Sequence, residues 1–379
     1  MIKKKLEEYL DYKQPQPYIV SNEQYSNEYK TPVLTAGKSF LLGMTNDTKG
    51  IYPASKDEPI ILFDDFTTDI KWVDFPFKVK SSACKILVPR NDTNLRFCYY
   101  GMKSLNFDAS QHKRYWISQY SQMQLPDYPN ARKAEIVERL SRIENQINIK
   151  ENQLNKLDSL VKSRFIEMFG NPMDEKKWNS KFTEVVIFNP KKNEVKKDME
   201  IEASFVPMEA IGTDGSFSIK KSGKIKDFYK GYTYFKDGDV IFAKITPCFE
   251  NGKIAIANHC TNKIGFGTTE FHVARPISGK TNAEWVMNLL RNDSLHTYAS
   301  SKMTGSAGQK RIQTPFFEKL GVYLPPFELQ NRFADFVHLI DKSRFVVHSR
   351  YFLWLNFTFV SSTIAYSRVV SILECPKRC

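Results

Sequence analysis

Residues 132–169, RKAEIVERLSRIENQINIKENQLNKLDSLVKSRFIEMF, form a stretch without glycine or proline. On a heptad frame, one seam position is apolar at every repeat and the other is apolar except at Lys150 and Arg164. This regularity predicts a long coiled-coil helix, ended by the Gly-Asn-Pro sequence at 170–172. The predicted apolar seam consists of Ile136, Leu140, Ile143, Ile147, Leu154, Leu157, Val161 and Met168.

A second segment supplies the partner that an apolar seam requires. The sequence ELQNRFADFVHLIDK, residues 328–342, carries Phe333, Val337 and Ile340 at the same four-then-three spacing. Each of these three lies 197 residues after a seam residue of the first helix. We therefore expect a second seam helix that packs antiparallel against the first.

The segments before and after the long helix resemble each other. PIILF (59–63) corresponds to DVIF (239–242), and KSSACKILVP (80–89) corresponds to GTTEFHVARP (267–276). All four are apolar or alternating runs of the kind that form strands. A domain followed by a helix therefore occurs twice in the chain.

These patterns predict an α+β fold. Two mixed α/β domains are separated by long antiparallel coiled-coil helices, in a pseudo-two-fold repeat. We place the domain boundaries at 1–125 for the first domain, 126–172 for the first long helix, 173–323 for the second domain, 324–345 for the truncated start of the second helix, and 346–379 for an atypical tail.

Composition indicates a globular chain with a basic surface. The net charge of +13 favours a polyanionic partner, most often nucleic acid. The cysteines form no CxxC pair, which argues against zinc, and the start MIKKKLEEYLDY lacks the apolar core of a secretory signal. We therefore expect a cytoplasmic protein. Tyr351–Ser367 is uncharged and approaches the length of a membrane helix, but we expect no membrane contact.

Motifs for catalysis or cofactor binding are missing from the sequence, which contains neither GxGxxG nor GxxxxGK[ST]. LPPF at 324–327 is similar to a methyltransferase motif, but its Leu324 cannot accept a hydrogen bond from an adenine amine, so we assign it to a helix start. Asp64, Asp65 and Asp69 lie close together in sequence, and we interpret them as polar loop residues. We expect no catalytic residue and no metal site in this chain.

Nucleic-acid contact is the function that remains. HKRYWI (112–117) corresponds to QKRIQ (309–313), and both halves mix basic, hydroxyl and aromatic side chains. Basic side chains bind phosphates, whereas Gln, Arg, Ser and Thr also contact base edges. The loop TGSAGQ (304–309) is the strongest candidate, because two glycines allow close backbone approach. The candidate contacts are Lys80, Ser81, Ser82, Lys85, His112, Lys113, Arg114, Tyr115, Lys220, Lys221, Lys244, Thr268, Thr269, Thr304, Ser306, Gln309, Lys310 and Arg311.

Several longer segments carry a resemblance to a known family. They are TPVLTAGKSFLLGMTNDTKGIYPA (31–54), FDDFTTDIKWVDFPFKVKSSA (63–83), HKRYWIS (112–118), QLNKLDSLVKSRFIEMFGNP (153–172) and LPPFELQNRFADFVHLIDK (324–342). Through about residue 343 the chain resembles the DNA-specificity subunit of a type I restriction-modification system.

The resemblance implies two target-recognition domains, each binding one half of a bipartite site in double-stranded DNA. It also implies two modification (methyltransferase) subunits and further restriction (motor and nuclease) subunits as partners. Those partners bind S-adenosylmethionine, ATP and Mg, so this chain binds no cofactor and is not itself an enzyme.

The resemblance ends near Lys342. The tail that follows has no heptad and many aromatic residues, and we interpret it as a frame-shifted end. It would leave Leu154, Leu157, Val161 and Met168 without a partner seam. Three alternatives stay open: a disabled or silent copy of such a subunit, a coiled-coil scaffold without DNA binding, and a fused methyltransferase, against which the missing cofactor loop argues.

Overall fold

The computed structural model describes residues 2–37, 39–111, 113–195, 200–306 and 308–360, with the backbone alone from residue 348. Its contacts divide the chain into two compact units. Unit 1 is built on Met1–Ile149 and unit 2 on Lys150–Leu355, so the boundary falls within a long helix.

Unit 1 begins with a strand, a single helical turn and a second strand, and ends in the long helix. Two 3₁₀ turns, Gln16–Tyr18 and Tyr120–Gln122, lie between its larger elements. Its strands are β1 (Lys3–Lys5), β2 (Leu10–Lys13), β3 (Thr31–Leu34), β4 (Leu41–Thr45), β5 (Ile60–Asp64), β6 (Ile70–Val73), β7 (Lys78–Val79), β8 (Cys84–Pro89) and β9 (Gln124–Pro126), and its helices are α1 (Leu6–Tyr9), α2 (Leu95–Lys103) and α3 (Asn130–Phe169).

The strands of unit 1 form three sheets. The largest has the order β2-β8-β5-β6 and is antiparallel throughout, with Ile61 opposite both Trp72 and Leu87. In the second sheet, β3 pairs antiparallel with β4 and parallel with β7. The third sheet is the pair β1-β9, which joins the start of the domain to the segment leading into α3.

Unit 2 follows the same plan with additional helices. Four 3₁₀ turns occur at Glu175–Lys177, Lys192–Glu194, Met208–Ala210 and Thr261–Lys263. Its strands are β10 (Ser180–Lys181), β11 (Val186–Phe188), β12 (Glu202–Val206), β13 (Lys221–Lys224), β14 (Thr233–Lys236), β15 (Val240–Ala243), β16 (Ile254–Ile256), β17 (Ile264–Gly267), β18 (Phe271–Pro276) and β19 (Gly321–Val322), and its helices are α4 (Phe182–Val185), α5 (Ile225–Phe228), α6 (Ala283–Leu290), α7 (Asp293–Ser301), α8 (Thr314–Lys319) and α9 (Phe327–Val360).

The sheet topology of unit 2 repeats that of unit 1. The sheet β11-β18-β15-β16 corresponds to β2-β8-β5-β6, and β10-β19 corresponds to β1-β9. As β3 does, β12 pairs with one antiparallel and one parallel neighbour. The helix after the central sheet is also capped alike, because the Asn94 side chain accepts from the N–H of Phe97 and that of Asn282 from the N–H of Trp285. The predicted repeat and the α+β class are confirmed.

The long helix α3 contributes to the core of each unit. Its predicted seam residues in unit 1, Ile136, Leu140, Ile143 and Ile147, are half-buried, and Leu140 packs against the domain core. In unit 2, Leu154, Leu157 and Met168 are half-buried and Val161 is buried. The sequence prediction missed Phe165 and Phe169, which are more deeply buried than most of the seam. The C-terminal end of α3 therefore has the broad apolar stripe of a domain helix.

Helix α9 packs antiparallel against the second half of α3 within unit 2. The ring of Phe333 lies 5.4 Å from that of Phe169, whereas Arg344, farther along α9, bonds Asp158, which lies earlier in α3. Phe333, Val337 and Ile340 are all buried, as the spacing predicts.

Two expectations about this helix pair are wrong. The second helix does not end at residue 345, because α9 continues to Val360. The expected loss of a partner seam also fails for Leu157, Val161 and Met168, which pack in one apolar cluster with Phe333 and Val337. The interpretation of the tail as frame-shifted concerns residues 346–379. The structure describes this tail only as far as Val360, the end of α9, and residues 361–379 lie outside the described residues. Among the helices that the structure describes, none has the length and apolar character needed to cross a membrane.

Candidate nucleic-acid interface

In each unit, the ends of the two central strands bring three loops together. In unit 1 the N–H of Asp65, after β5, donates to the carbonyl of Ala83, before β8, and the N–H of Tyr115 donates to the carbonyl of Asp65, both at 2.8 Å. The equivalent bonds in unit 2 run from Lys244 to Glu270 and from Ile312 to Lys244, both at 2.9 Å. The two Lys-Arg segments aligned from the sequence therefore occupy the same place in the two units.

A buried carboxylate organises this loop junction in unit 1. Asp65 is buried and accepts the backbone N–H of Trp116 at 2.8 Å. Its Oδ2 lies 3.7 Å from the ammonium of Lys85 and 4.0 Å from the guanidinium of Arg114. Arg114 also donates to the hydroxyl of Ser82 at 3.1 Å. The junction thus presents the exposed Arg114 next to hydroxyl groups.

Two candidates in unit 1 are corrected by their burial. Lys85 is only 3% exposed and Tyr115 1%, because both side chains point into the domain. The ammonium of Lys85 is already engaged by Asp65 and Gln14, and the hydroxyl of Tyr115 donates to the carbonyl of Gln111. Neither side chain is available to a phosphate.

The other candidates of unit 1 lie at its surface. Lys80 is exposed, 3.8 Å from Glu23, and Arg114 is exposed as well. Ser81, Ser82 and Lys113 are half-buried. His112 lies outside the described residues.

In unit 2 a carboxylate on a different loop binds the arginine. The guanidinium of Arg311 donates from Nε to Oε2 of Glu270 at 3.0 Å and from Nη2 to Oε1 at 2.8 Å. The same side chain donates from Nη1 to the carbonyl of Gln309 at 3.3 Å. These bonds with Arg311 hold the pKa of Glu270 below its usual value. Glu270 occupies the position of Ala83 in unit 1, and the sequence prediction did not include it.

The loop between Thr304 and Arg311 is closed by backbone bonds. Thr304 and Arg311 exchange N–H donors and carbonyl acceptors at 3.0 and 2.8 Å, and the N–H of Thr246 donates to the carbonyl of Lys310. Gly305 has a φ of 136°, and a Cβ there would come within 2.6 Å of the carbonyl oxygen of Gln309. Glycine is therefore required for this closed turn, and the side chains of Ser306, Gln309 and Lys310 are exposed around it.

A buried histidine forms a hydrogen bond to the residue that directly follows this loop. His272 takes the place that Lys85 has in unit 1, and its Nε2 lies 3.0 Å from the carbonyl oxygen of Ile312. Burial lowers its pKa to about 4. The imidazole is therefore neutral near pH 7, with Nε2 as the donor and Nδ1 accepting from Asn189.

The strand pairing places two of the remaining candidates of unit 2, Lys221 and Thr268, at the same edge of one sheet. Lys221 is opposite Phe205 on β12, which is itself opposite Phe266 on β17, and β17 leads directly to Thr268. Thr268, Lys244 and Arg311 are half-buried. The exposed candidates are Lys220, Lys221, Thr269, Thr304, Ser306, Gln309 and Lys310.

Within the described residues, no group of His, Cys, Asp and Glu side chains is arranged to hold a metal ion. Among the described candidate residues, the two loop junctions offer cations, hydroxyls and the exposed amide of Gln309. Side chains of these kinds contact phosphates and base edges in protein–DNA complexes.

Comparison with known proteins gives one family. Residues 175–347 match the model of the type I restriction modification DNA specificity domain. The EcoR124I/EcoR124II specificity subunit of Escherichia coli is 52% identical over 125 residues, which are 32% of this chain and 31% of that protein. The EcoEI specificity subunit of Escherichia coli is 45% identical over 168 residues, 42% of this chain and 27% of that protein. The chain thus matches about a third or less of the length of these curated relatives.

A solved structure shares the fold. The crystal structure of a type I restriction-modification system S subunit from M. genitalium aligns with a TM-score of 0.52 at 14% identity, over 100% of this chain and 96% of that one. The predicted family resemblance is confirmed by the family model and the curated relatives, and the predicted fold by this structure.

Proposed function

Because residues 175–347 match the model of the type I restriction modification DNA specificity domain, we propose that this chain recognises the DNA target of a type I restriction-modification system. The observation that carries the proposal is the repeated loop junction. In both units the same backbone bonds bring an Arg-bearing segment to the ends of the central strands, beside hydroxyl groups. A net charge of +13 suits a surface that binds phosphates.

We propose further that each unit binds one half of a bipartite site in double-stranded DNA. Recognition elements held on rigid supports translate their separation into the spacing of half-sites. Each unit has a long helical segment packed on its own core, the start of α3 in unit 1 and the end of α3 with α9 in unit 2, and such segments suit this role.

Catalysis belongs to partner subunits in this proposal. Two modification subunits bind S-adenosylmethionine and methylate adenine, and restriction subunits bind ATP and Mg and cut the DNA. This chain binds and orients the target, and it carries out no chemical step. Its proposed place is the cytoplasm, where the DNA and these subunits are found.

The proposal is tested by methylome sequencing of a host that carries the modification subunits, with and without this gene. A bipartite methyl-adenine motif that depends on the gene is the expected result. If the chain binds DNA but no methyl-adenine motif depends on the gene, the chain is a copy that no longer assembles with the modification subunits. If the chain binds no DNA and creates no motif, the proposal is wrong, and the disabled copy or the scaffold takes its place.

Removing exposed lysines is expected to weaken DNA binding and its salt dependence. The double variant Lys221→Ala/Lys310→Ala loses two exposed ammonium groups that belong to the candidate residues of unit 2. Each phosphate contact contributes about 0.9 to the slope of log affinity against log salt, so the slope should fall by about 2. The measurement is fluorescence anisotropy of labelled duplex DNA with the full chain at several salt concentrations.

The matched control is Lys176→Ala, which removes an exposed lysine outside the candidate loops. It should leave affinity and slope close to those of the unchanged chain. Equal losses in the control and in the double variant would mean that binding follows net charge, with no localised surface.

A further inference from the structure

In unit 2, all three nitrogen atoms of the Arg311 guanidinium donate hydrogen bonds to acceptors within the protein. Two of its nitrogen atoms bond the two carboxylate oxygens of Glu270, and a third donates to the carbonyl of Gln309. Three of the five guanidinium N–H groups are thus used within the protein, and the charge is paired with Glu270. This arrangement suits a role in holding the loop in place.

The pair Glu270–Arg311 joins two exposed loops that are far apart in sequence. Glu270 ends the turn that carries Thr268 and Thr269, and Arg311 ends the loop that begins at Thr304. The bond to the carbonyl of Gln309 holds the backbone two residues before Arg311, and the Gln309 side chain remains exposed. The pair thus determines where that amide is presented.

We propose that Glu270 and Arg311 are positioning residues that set the orientation of Gln309, and that Gln309 contacts a base in the half-site bound by unit 2. This inference rests on the proposed function. An exposed primary amide on a closed loop has both a donor and an acceptor, and glutamine pairs in bidentate fashion with the N6 and N7 edge of adenine. The chemistry therefore favours an adenine in the major groove as the contacted base.

Unit 1 provides an internal reference for this arrangement. Ala83 stands where unit 2 has Glu270, and Arg114 bonds Ser82 while lying 4.0 Å from the buried Asp65. Arg114 is also more exposed, at 49% of its side chain against 34% for Arg311. Unit 1 therefore lacks this carboxylate pair, and changes at Glu270 should not alter its half-site.

The test is selection of duplexes from a random DNA library by the full chain, followed by sequencing. The unchanged chain, Glu270→Gln, Gln309→Ala and the double variant are compared. Glu270→Gln removes the charge that binds Arg311, whereas Gln309→Ala removes an exposed side chain and leaves the fold intact. Both single variants should lose discrimination by about tenfold at the same one or two base pairs of one half-site.

The double variant should lose no more than either single variant, because both changes remove the same contact. The other half-site and the salt dependence of binding should stay unchanged. Unchanged discrimination in Gln309→Ala, or losses at different base pairs in the two single variants, would overturn the positioning role. If the unchanged chain selects no sequence at all, the proposed function itself fails, which is a distinct outcome.

Discussion

Replacing Phe333 with alanine should destabilise unit 2 by about 3–5 kcal/mol. The Phe333 side chain is fully buried where α9 crosses the end of α3, with ring centroids 5.5 Å from Phe165 and 5.4 Å from Phe169. Truncation removes apolar contacts and leaves a cavity that backbone segments fixed in two helices cannot fill. The measurement is urea denaturation of the full chain. Unfolding is monitored with a signal that reports on unit 2, such as hydrogen exchange of its core strands.

The matched control lies on the same helix. Leu339 is 61% exposed, so Leu339→Ala should change stability by less than about 0.5 kcal/mol. Equal effects of the two substitutions, or a Phe333→Ala variant as stable as the unchanged chain, would show that the α3–α9 contact does not support unit 2.

The long helices and the repeat could be predicted because both depend on spacing within the chain. The heptad placed Val161, Phe333 and Val337 correctly in the interior. It failed for Phe165 and Phe169, because each directly follows a seam position and so lies outside a strict two-position seam, although both rings contact Phe333 of α9. Here the end of α3 also packs on the domain that follows, and that second contact surface has no signature in the spacing of α3.

The sequence predicted which segments meet at the loop junctions, but it did not predict which of their side chains are buried or paired. Corresponding segments in the two halves placed Arg114 and Arg311 at equivalent junctions. The burial of Lys85 depends on Asp65, which lies across the junction on a different strand end. The pairing of Glu270 with Arg311 likewise joins residues that no local pattern connects. Lysine and arginine look alike in a sequence whether they face solvent or a buried carboxylate.

Lowering the pH from about 6.5 to about 4 should destabilise unit 2 through His272. Burial lowers the pKa of this imidazole from 6.5 to about 4, while the unfolded chain keeps the ordinary value. At pH 7 the ring is largely neutral in both states, so its titration contributes little to the free energy of unfolding. Below 6.5 the unfolded chain binds a proton that the folded one does not, so stability is lost until pH 4, by about 3 kcal/mol in all.

The variant His272→Gln separates this effect from other titrations. Glutamine does not titrate and can still donate to the carbonyl of Ile312, which His272 now approaches at 3.0 Å. The variant should be less stable at pH 7, because it loses the ring contacts with Phe188 and Phe317 at 5.1 and 5.6 Å. Between pH 6.5 and 4.5, however, its melting temperature should fall less steeply than that of the unchanged chain. His296, whose pKa burial also lowers, acts in the same direction and remains in both proteins. Parallel melting curves for the two proteins over this range would mean that His272 is protonated as easily in the folded state as in the unfolded one. That result would contradict its place as the neutral support under the Thr304–Arg311 loop.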